Sequence, residues 1–203
     1  MSPKQTRKAE TRQLLLTVTA DALATGRSFD TMSLREIAKL AGIAPTSFYR
    51  HFHHMEDLGL ALIEEQGKAL FAVIEDVRGH VTLGQSLIRS WVGAVYDFIL
   101  ANQGLSRMIV QESLSPESPF RAASESLFLA LSSDLADYLE QEAKQREVPL
   151  AYPRLAANAM VSIMFTTGIA LLNAPEGDRD RHVDAAVIKV KMILRGAESL
   201  SAG

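Results

Sequence analysis

The chain has no cysteine among its 203 residues. This absence excludes disulfide bonds, thiolate metal sites and cysteine nucleophiles, and it agrees with a reducing compartment. The first residues are polar and charged and lack the apolar core of a signal peptide. We therefore expect a cytoplasmic protein.

Motifs typical of enzymes are missing as well. The sequence contains no GxSxG, Walker, GxGxxG or HExxH pattern, so no activated serine, phosphate loop or catalytic zinc site stands out. His51, His53 and His54 lie close together, but no cysteine or second ligand cluster accompanies them, which disfavours a metal site. We expect a non-enzymatic protein without a bound metal or cofactor.

Long uncharged stretches are rare. Residues 155–172 run for 18 residues without a charge, which is the lower limit for a membrane span. Asn158, Ser162, Thr166 and Gly168 interrupt its apolar surface, so the pattern favours a helix packed against protein. We expect no membrane association.

Alternating strand patterns are also absent, whereas apolar residues recur at helical spacing along the whole chain. The sequence therefore predicts an all-α fold. The predicted helices cover residues 5–25, 34–40, 45–51, 56–78, 87–99, 105–113, 120–146, 155–172 and 183–197.

Charge divides the chain into two parts. Residues 1–54 carry eight Lys and Arg against four Asp and Glu, a net charge of +4, which leaves −7 for the remainder because the whole chain has −3. A basic head on an acidic body indicates that the head binds a polyanion. An architectural DNA-binding protein would need only this head, so the long acidic remainder favours a sensor domain. We predict domains of residues 1–54 and 55–203.

The segment 33–52 predicts a helix-turn-helix. Ser33 and Glu36 form a capping box at the start of one helix, Gly42 provides the turn, and Pro45 suits the first turn of a second helix. Such a unit places its second helix in the major groove of DNA. The exposed polar residues there can bond to bases or phosphate: Thr46, Ser47, Tyr49 and Arg50.

This segment resembles the DNA-binding domain of the TetR family, whose motif ends in an aromatic residue, a variable residue and His-Phe, as residues 49–52 do. Within that family, residues 33–63 are most similar to the FabR and DesT type, which regulate unsaturated fatty acid synthesis. The resemblance implies a three-helix DNA-binding domain and a larger helical domain for ligand binding and dimerisation. The predicted DNA contacts are Lys4, Arg7, Lys8, Ser33, Arg35, Pro45, Thr46, Ser47, Tyr49, Arg50 and His51.

Two positions depart from the common family pattern. Met55 stands where most members have a phosphate-binding lysine, so that contact must be absent or pass to His53, His54 or a backbone N–H. Ala44 replaces the serine that caps the second helix, which leaves Pro45 as the start signal. The fatty acid subgroup shares both features.

The remaining helices predict dimerisation and ligand binding. Residues 155–172 and 183–197 are expected to pair with a second copy in a four-helix bundle, so that the homodimer binds a palindromic, double-stranded operator. Large apolar side chains can line a cavity for a small apolar effector. These candidates are Trp91, Val95, Phe98, Met108, Phe128, Leu131, Met164 and Phe165.

The resemblance implies a repressor of fatty acid genes that responds to fatty acyl-CoA. Its anionic head group would need a cation, for which Arg89, Arg107 and Arg121 are candidates. A ligand can change operator affinity only if it prefers one spacing of the two DNA-binding heads of the dimer. We therefore expect a pivot of the helix Glu56–Arg78 to transmit ligand binding to the heads. The alternative is a repressor of efflux or detoxification genes that responds to an aromatic, drug-like ligand.

Overall fold

The computed structural model describes residues 3–80, 85–175 and 177–201. All regular secondary structure in these residues is helical, as predicted, and includes one short 3₁₀ helix at Phe29–Thr31. The helices are α1 (Pro3–Ala24), α2 (Leu34–Leu40), α3 (Pro45–Phe48), α4 (Met55–His80), α5 (Gln85–Ala101), α6 (Gln103–Leu114), α7 (Arg121–Gln145), α8 (Pro153–Leu172) and α9 (Arg179–Ser199).

The helix-turn-helix follows from its local signals. The Ser33 hydroxyl accepts a hydrogen bond from the Glu36 N–H at 3.3 Å, which confirms the capping box and fixes the start of α2. Gly42 ends this helix with a positive φ of 65°. The Ile43 N–H donates to the Ala38 carbonyl at 2.9 Å, and the Gly42 N–H to the Lys39 carbonyl at 3.1 Å. These two bonds form a Schellman motif, which sets the direction of the chain into α3.

The second helix of the motif is shorter than predicted. α3 comprises only Pro45–Phe48, and Ala44 provides no side-chain cap, as its sequence implies. Turn-like hydrogen bonds continue after it, because the His51 and Phe52 N–H groups both donate to the Phe48 carbonyl. The aromatic end of the motif is therefore held by the backbone of α3.

The described helices form two compact units. The N-terminal unit comprises the chain up to Gly67 together with Asn102–Ser124. There α1 packs against α2 and α6, and α2 packs against α3. The side chains of Leu15, Ile37, Phe48 and Leu58 are completely buried in this unit.

The C-terminal unit comprises Lys68–Ala101 and the chain from Glu125 onward. In it α8 packs against α9, and α5 packs against both. Val92, Tyr96, Ala157 and Val190 are completely buried in its core. Tyr96 is unusual there, because neither its hydroxyl nor that of buried Thr167 makes a hydrogen bond of good geometry, although the two interact. Burial raises the pKa of Tyr96 to about 12, so the phenol stays neutral.

Helix α8 is long and apolar enough to cross a membrane by length and composition, with a mean hydropathy of 1.8. Its inner face nevertheless belongs to the protein core through Ala157, Met160, Met164 and Leu171. The opposite face is exposed in the single chain and carries small or polar residues. They are Asn158, Ser162, Thr166 and Ala170.

Candidate DNA-binding surface and effector cavity

The surface of α3 presents polar side chains to solvent. Thr46 and Arg50 are exposed, Tyr49 is 57% exposed, and Ser47 is half-buried. Phe48 and Phe52 are buried and contact each other, with ring centroids 5.7 Å apart. They hold this segment against the core of the N-terminal unit. A rigid apolar base beneath an exposed polar face is the arrangement that a base-reading helix needs.

A cluster of cations flanks this face. Lys8, Arg12 and Arg50 all lie close enough to His51 to act on its charge, which brings α1 and the end of the motif together. The Arg12 guanidinium lies 5.2 Å from the centroid of the Phe52 ring, a cation–π contact that orients it. In the part of the chain that the structure describes, none of these three cations has a carboxylate partner. Unpaired cations of this kind suit phosphate groups.

The positive charges of that cluster affect the pKa of His51. Burial lowers its pKa, and the charges of Lys8, Arg12 and Arg50 lower it further. Its Nδ1 atom is buried and has no hydrogen-bond partner among the residues that the structure describes. Burial and the three positive neighbours thus disfavour the protonated form of the imidazole.

Two backbone N–H groups just before α4 are hydrogen-bonded within the chain. The Asp57 carboxylate accepts hydrogen bonds from the N–H groups of His53 at 2.8 Å and His54 at 3.2 Å. These bonds lower the pKa of Asp57. Both N–H groups are therefore engaged within the chain and are not available for the phosphate contact that was considered in place of the lysine absent at Met55.

A cavity of about 180 Å³ lies in the C-terminal unit. Its wall is formed by Arg78 from α4, by the first half of α5, by the last turns of α7, by the link to α8, and by the inner faces of α8 and α9. Most of the lining side chains are apolar, including Leu87, Leu139, Met160 and Leu194. The shape suits a small ligand with little polar surface.

The charged groups of this cavity are largely paired. Arg78 makes two hydrogen bonds to Asp134, at 2.8 and 3.2 Å, and lies 4.4 Å from the centroid of the Tyr138 ring. Arg146 forms an ion pair with Glu142 at 3.0 Å. The Nε1 atom of Trp91, another lining residue, is buried and has no hydrogen-bond partner in the described structure.

Comparison with known proteins agrees with the helix-turn-helix. Residues 16–62 match the family of bacterial regulatory proteins, tetR family, so the matched stretch runs from α1 into α4. This N-terminal segment is thus similar to the DNA-binding region of that family.

Solved structures share its fold over nearly the whole length. A Mesorhizobium loti protein described as a TetR-family transcriptional regulator is 18% identical, with a TM-score of 0.74, and 93% of this chain and 97% of that one are covered. A Clostridium perfringens protein described as a fatty acid metabolism regulator is 14% identical, with a TM-score of 0.69 and coverages of 90% and 97%. The regulator FadR of Bacillus subtilis, in complex with stearoyl-CoA, is 15% identical, with a TM-score of 0.70 and coverages of 91% and 98%. At these identities the likeness establishes the fold.

Most of the predicted DNA contacts are exposed residues of the N-terminal unit. Arg7 and Lys8 are exposed on α1, and Ser33, Arg35 and Pro45 are exposed at the helix-turn-helix. The side chain of Lys4 lies outside the described residues. Arg12 was not singled out from the sequence, because only the packing of α1 against the end of the motif brings it to His51 and Phe52.

The predicted ligand residues are more dispersed. Among the eight, Trp91 lines the cavity. Val95 and Met164 are buried in the core of the C-terminal unit, and Phe128 packs edge-on against Phe165 with ring centroids 4.5 Å apart. Met108 is buried in the other unit.

The predicted head-group cations also lie apart from the cavity. Arg89 is paired with Asp184 on the C-terminal unit, and neither Arg107 nor Arg121 lines the cavity. The arginines that do line it are Arg78 and Arg146. The sequence did not single out either arginine, because their position at the cavity depends on how α4, α5 and α7 pack.

Proposed function

We propose that the protein is a transcriptional regulator of the TetR family, a homodimeric, cytoplasmic repressor that binds a palindromic operator and responds to a small effector. Residues 1–54 form the DNA-binding domain in this proposal, and residues 55–203 sense the ligand and dimerise. The observation that supports DNA binding most strongly is the cluster of Lys8, Arg12 and Arg50 around His51, beside the exposed polar face of α3. A phosphate bound there would offset the three positive charges and favour a protonated His51.

The proposed base contacts are Thr46, Ser47, Tyr49 and Arg50. Lys4, Arg7, Lys8, Ser33, Arg35, Pro45 and His51 are proposed to contact phosphate or to position the motif. We add Arg12 to the phosphate group because its guanidinium is held over Phe52 without a carboxylate partner among the described residues.

The proposed dimer interface consists of the outer faces of α8 and α9. On α9, Ile188 is 53% exposed and Met192 is 68% exposed, and Leu155 of α8 is 67% exposed. Small α8 residues such as Ser162 and Ala170 allow close approach of a second copy. Together these faces can complete a four-helix bundle, and two recognition helices would then meet two half-sites.

Operator binding can be tested with duplexes selected from a random library, followed by fluorescence anisotropy at several salt concentrations. Arg50→Ala should weaken binding by about 1–3 kcal/mol if Arg50 reads a guanine. Arg12→Ala should reduce the slope of log affinity against log salt concentration by about one, which corresponds to the loss of one phosphate contact. Lys144→Ala, which removes a positive charge from α7 in the other unit, is the matched control. Equal effects of Arg50→Ala and Lys144→Ala would overturn the assignment.

The effector that we propose first is a fatty acyl-CoA. Its support is the similarity of residues 33–63 to the fatty acid subgroup, together with the names of two structural neighbours. The acyl chain would lie among Val95, Phe98, Phe128, Leu131, Met164 and Phe165, and Arg89, Arg107 or Arg121 would meet the head group. α4 is continuous across both units, so its pivot is the proposed route to the operator.

A second candidate is a repressor of efflux or detoxification genes with an aromatic effector. The observation that favours it is the cavity of about 180 Å³ beside Trp91, which is too small for a long acyl chain with its head group. Titration of the purified protein with saturated and unsaturated acyl-CoAs, free fatty acids and aromatic drugs, followed by melting temperature and operator affinity, separates the two candidates. A response to aromatic compounds alone would exclude the acyl-CoA proposal.

A further inference from the structure

Phe52 ends the helix-turn-helix, and its ring is held by α3. The side chain is 4% exposed, and its ring centroid lies 5.7 Å from that of Phe48. Its N–H donates to the Phe48 carbonyl at 3.1 Å. A close-packed aromatic side chain that is fixed by its own backbone and by a second ring has little freedom to move. The ring of Phe52 therefore offers a fixed surface to its one charged neighbour, Arg12, among the described residues.

Arg12 reaches this ring from a different helix. It belongs to α1 and is half-buried, and its guanidinium carbon lies 5.2 Å from the ring centroid. In the described part of the chain, no carboxylate forms an ion pair with it. The ring is thus the described contact that sets the position of this charge.

The surrounding charges oppose that position. Lys8, Arg12 and Arg50 all act on His51 as positive charges, so they also repel one another. A long arginine side chain in such surroundings turns toward solvent and must be ordered again when a ligand binds, which costs affinity. The face of an aromatic ring is the negative part of its quadrupole, so Phe52 offsets the repulsion and orders Arg12 in advance.

The ring contact is compatible with phosphate binding. A guanidinium is planar, contacts an aromatic ring with its face and donates hydrogen bonds from its edge, so it can do both at once. We propose that Phe52 is a positioning residue for operator binding, because its ring holds the Arg12 guanidinium where the N–H edge meets a backbone phosphate. This inference rests on the proposed function, since the phosphate is that of the operator. It assigns the effect to the negative face of the ring and not to its volume.

Fluorination separates these two properties of the ring. Amber suppression can introduce monofluoro-, trifluoro- or pentafluorophenylalanine at position 52, which weakens the negative face stepwise with little change in shape. Operator affinity, measured by fluorescence anisotropy on a duplex selected from a random library, should fall in the same order. The pentafluoro ring should reduce it about two- to five-fold for each subunit, the strength of a cation–π contact at an exposed site. The slope of log affinity against log salt concentration should fall toward that of Arg12→Ala.

Phe48 provides the matched control. Its side chain is completely buried and contacts Phe52, but no cation lies over its ring among the described residues. The same fluorinated residues at position 48 should leave operator affinity unchanged. Melting temperatures recorded for both series show whether each variant is folded. If the pentafluoro ring at position 52 prevents folding, the monofluoro ring gives the comparison.

The Arg12→Ala background tests whether the ring acts through Arg12. In that background, fluorination at position 52 should no longer change operator affinity, because the charge that the ring positions is absent. A merely structural role of Phe52 would instead produce the same loss of affinity with or without Arg12.

Unchanged affinity across the series at position 52 would overturn the inference, because Arg12 would then bind phosphate without the ring. Tighter binding would also overturn it, because the guanidinium would then have to leave the ring to reach DNA. An equal loss at position 48 or in the Arg12→Ala background would have the same consequence. All these outcomes require an unmodified protein that binds an operator. Failure of that protein to bind any duplex would contradict the proposed function itself, and the inference with it.

Discussion

Gly104 is the position at which a single methyl group should disturb the N-terminal unit most. A Cβ atom built there lies 2.3 Å from the carbonyl carbon and oxygen of Leu23 and 2.7 Å from the Ala24 N atom. All three are backbone atoms at the end of α1, so no side chain can rotate away. To restore an ordinary contact of about 3.4 Å, α6 and α1 must separate by roughly 1 Å.

Separation of these two helices loosens the core that supports the helix-turn-helix. Overpacking of this kind costs about 1–3 kcal/mol. For a chain of 203 residues, a loss of about 2 kcal/mol lowers the melting temperature by roughly 4–8 °C. We therefore expect Gly104→Ala to melt several degrees lower than the unmodified protein and to bind its operator more weakly.

Gly93→Ala is the matched control. Gly93 lies inside α5, and a Cβ atom there meets nothing within 4 Å, so alanine should stabilise the helix by about 0.5–1 kcal/mol. Thermal unfolding followed by circular dichroism compares the two variants directly. If Gly104→Ala melts at the same temperature as Gly93→Ala, or above it, the argument from close packing is wrong.

Three further predictions concern single positions. Gly42→Ala should destabilise the protein by about 1 kcal/mol in urea unfolding, because φ is 65° there; unchanged stability would contradict the proposed need for glycine in the turn. Glu147 has φ of 55° and occupies the Schellman position after α7, since the Val148 N–H donates to the Ala143 carbonyl at 3.1 Å. Glu147→Gly should therefore raise the free energy of unfolding by about 0.5–1 kcal/mol, and a lower value would refute the strain. The pKa of His51 is lowered in the folded protein, so the unfolded chain binds a proton at His51 more readily than the folded chain does. The stability that neutral His51 provides is therefore complete above the unfolded pKa of about 6.5 and is lost as the pH falls below that value. In pH-dependent urea unfolding, His51→Gln should show a smaller loss than the unmodified protein, and an equal loss in both would exclude His51 as the cause.

Features that depend on neighbouring residues could be predicted from the sequence. The cap at Ser33, the turn at Gly42 and the late start of α3 at Pro45 each arise from local backbone chemistry, and the helices follow from the spacing of apolar residues. The helical class and the DNA-binding motif were therefore accessible without coordinates.

Features that depend on packing between distant segments were not accessible. Gly104 stands just before the predicted helix 105–113, but it lies within the first turn of α6, where its lack of a side chain permits contact with α1. The role of Arg12 requires α1 to meet the end of the helix-turn-helix. The cavity wall is formed by residues of five helices and a link, and no periodic pattern in the sequence shows that these residues come together.

The discontinuity of the N-terminal unit limits how this chain can be recombined with others. Asn102–Ser124 completes this unit from beyond α5, and Gly104 contributes a close contact with α1. A chimera that joins the first 67 residues of this chain to a foreign sensor would lack that support unless the sensor contains an equivalent of α6 with a small residue at the same place. Exchange of DNA specificity by gene fusion is thus constrained by a segment far downstream of the motif. Grafting only the exposed residues of α3 leaves this architecture intact.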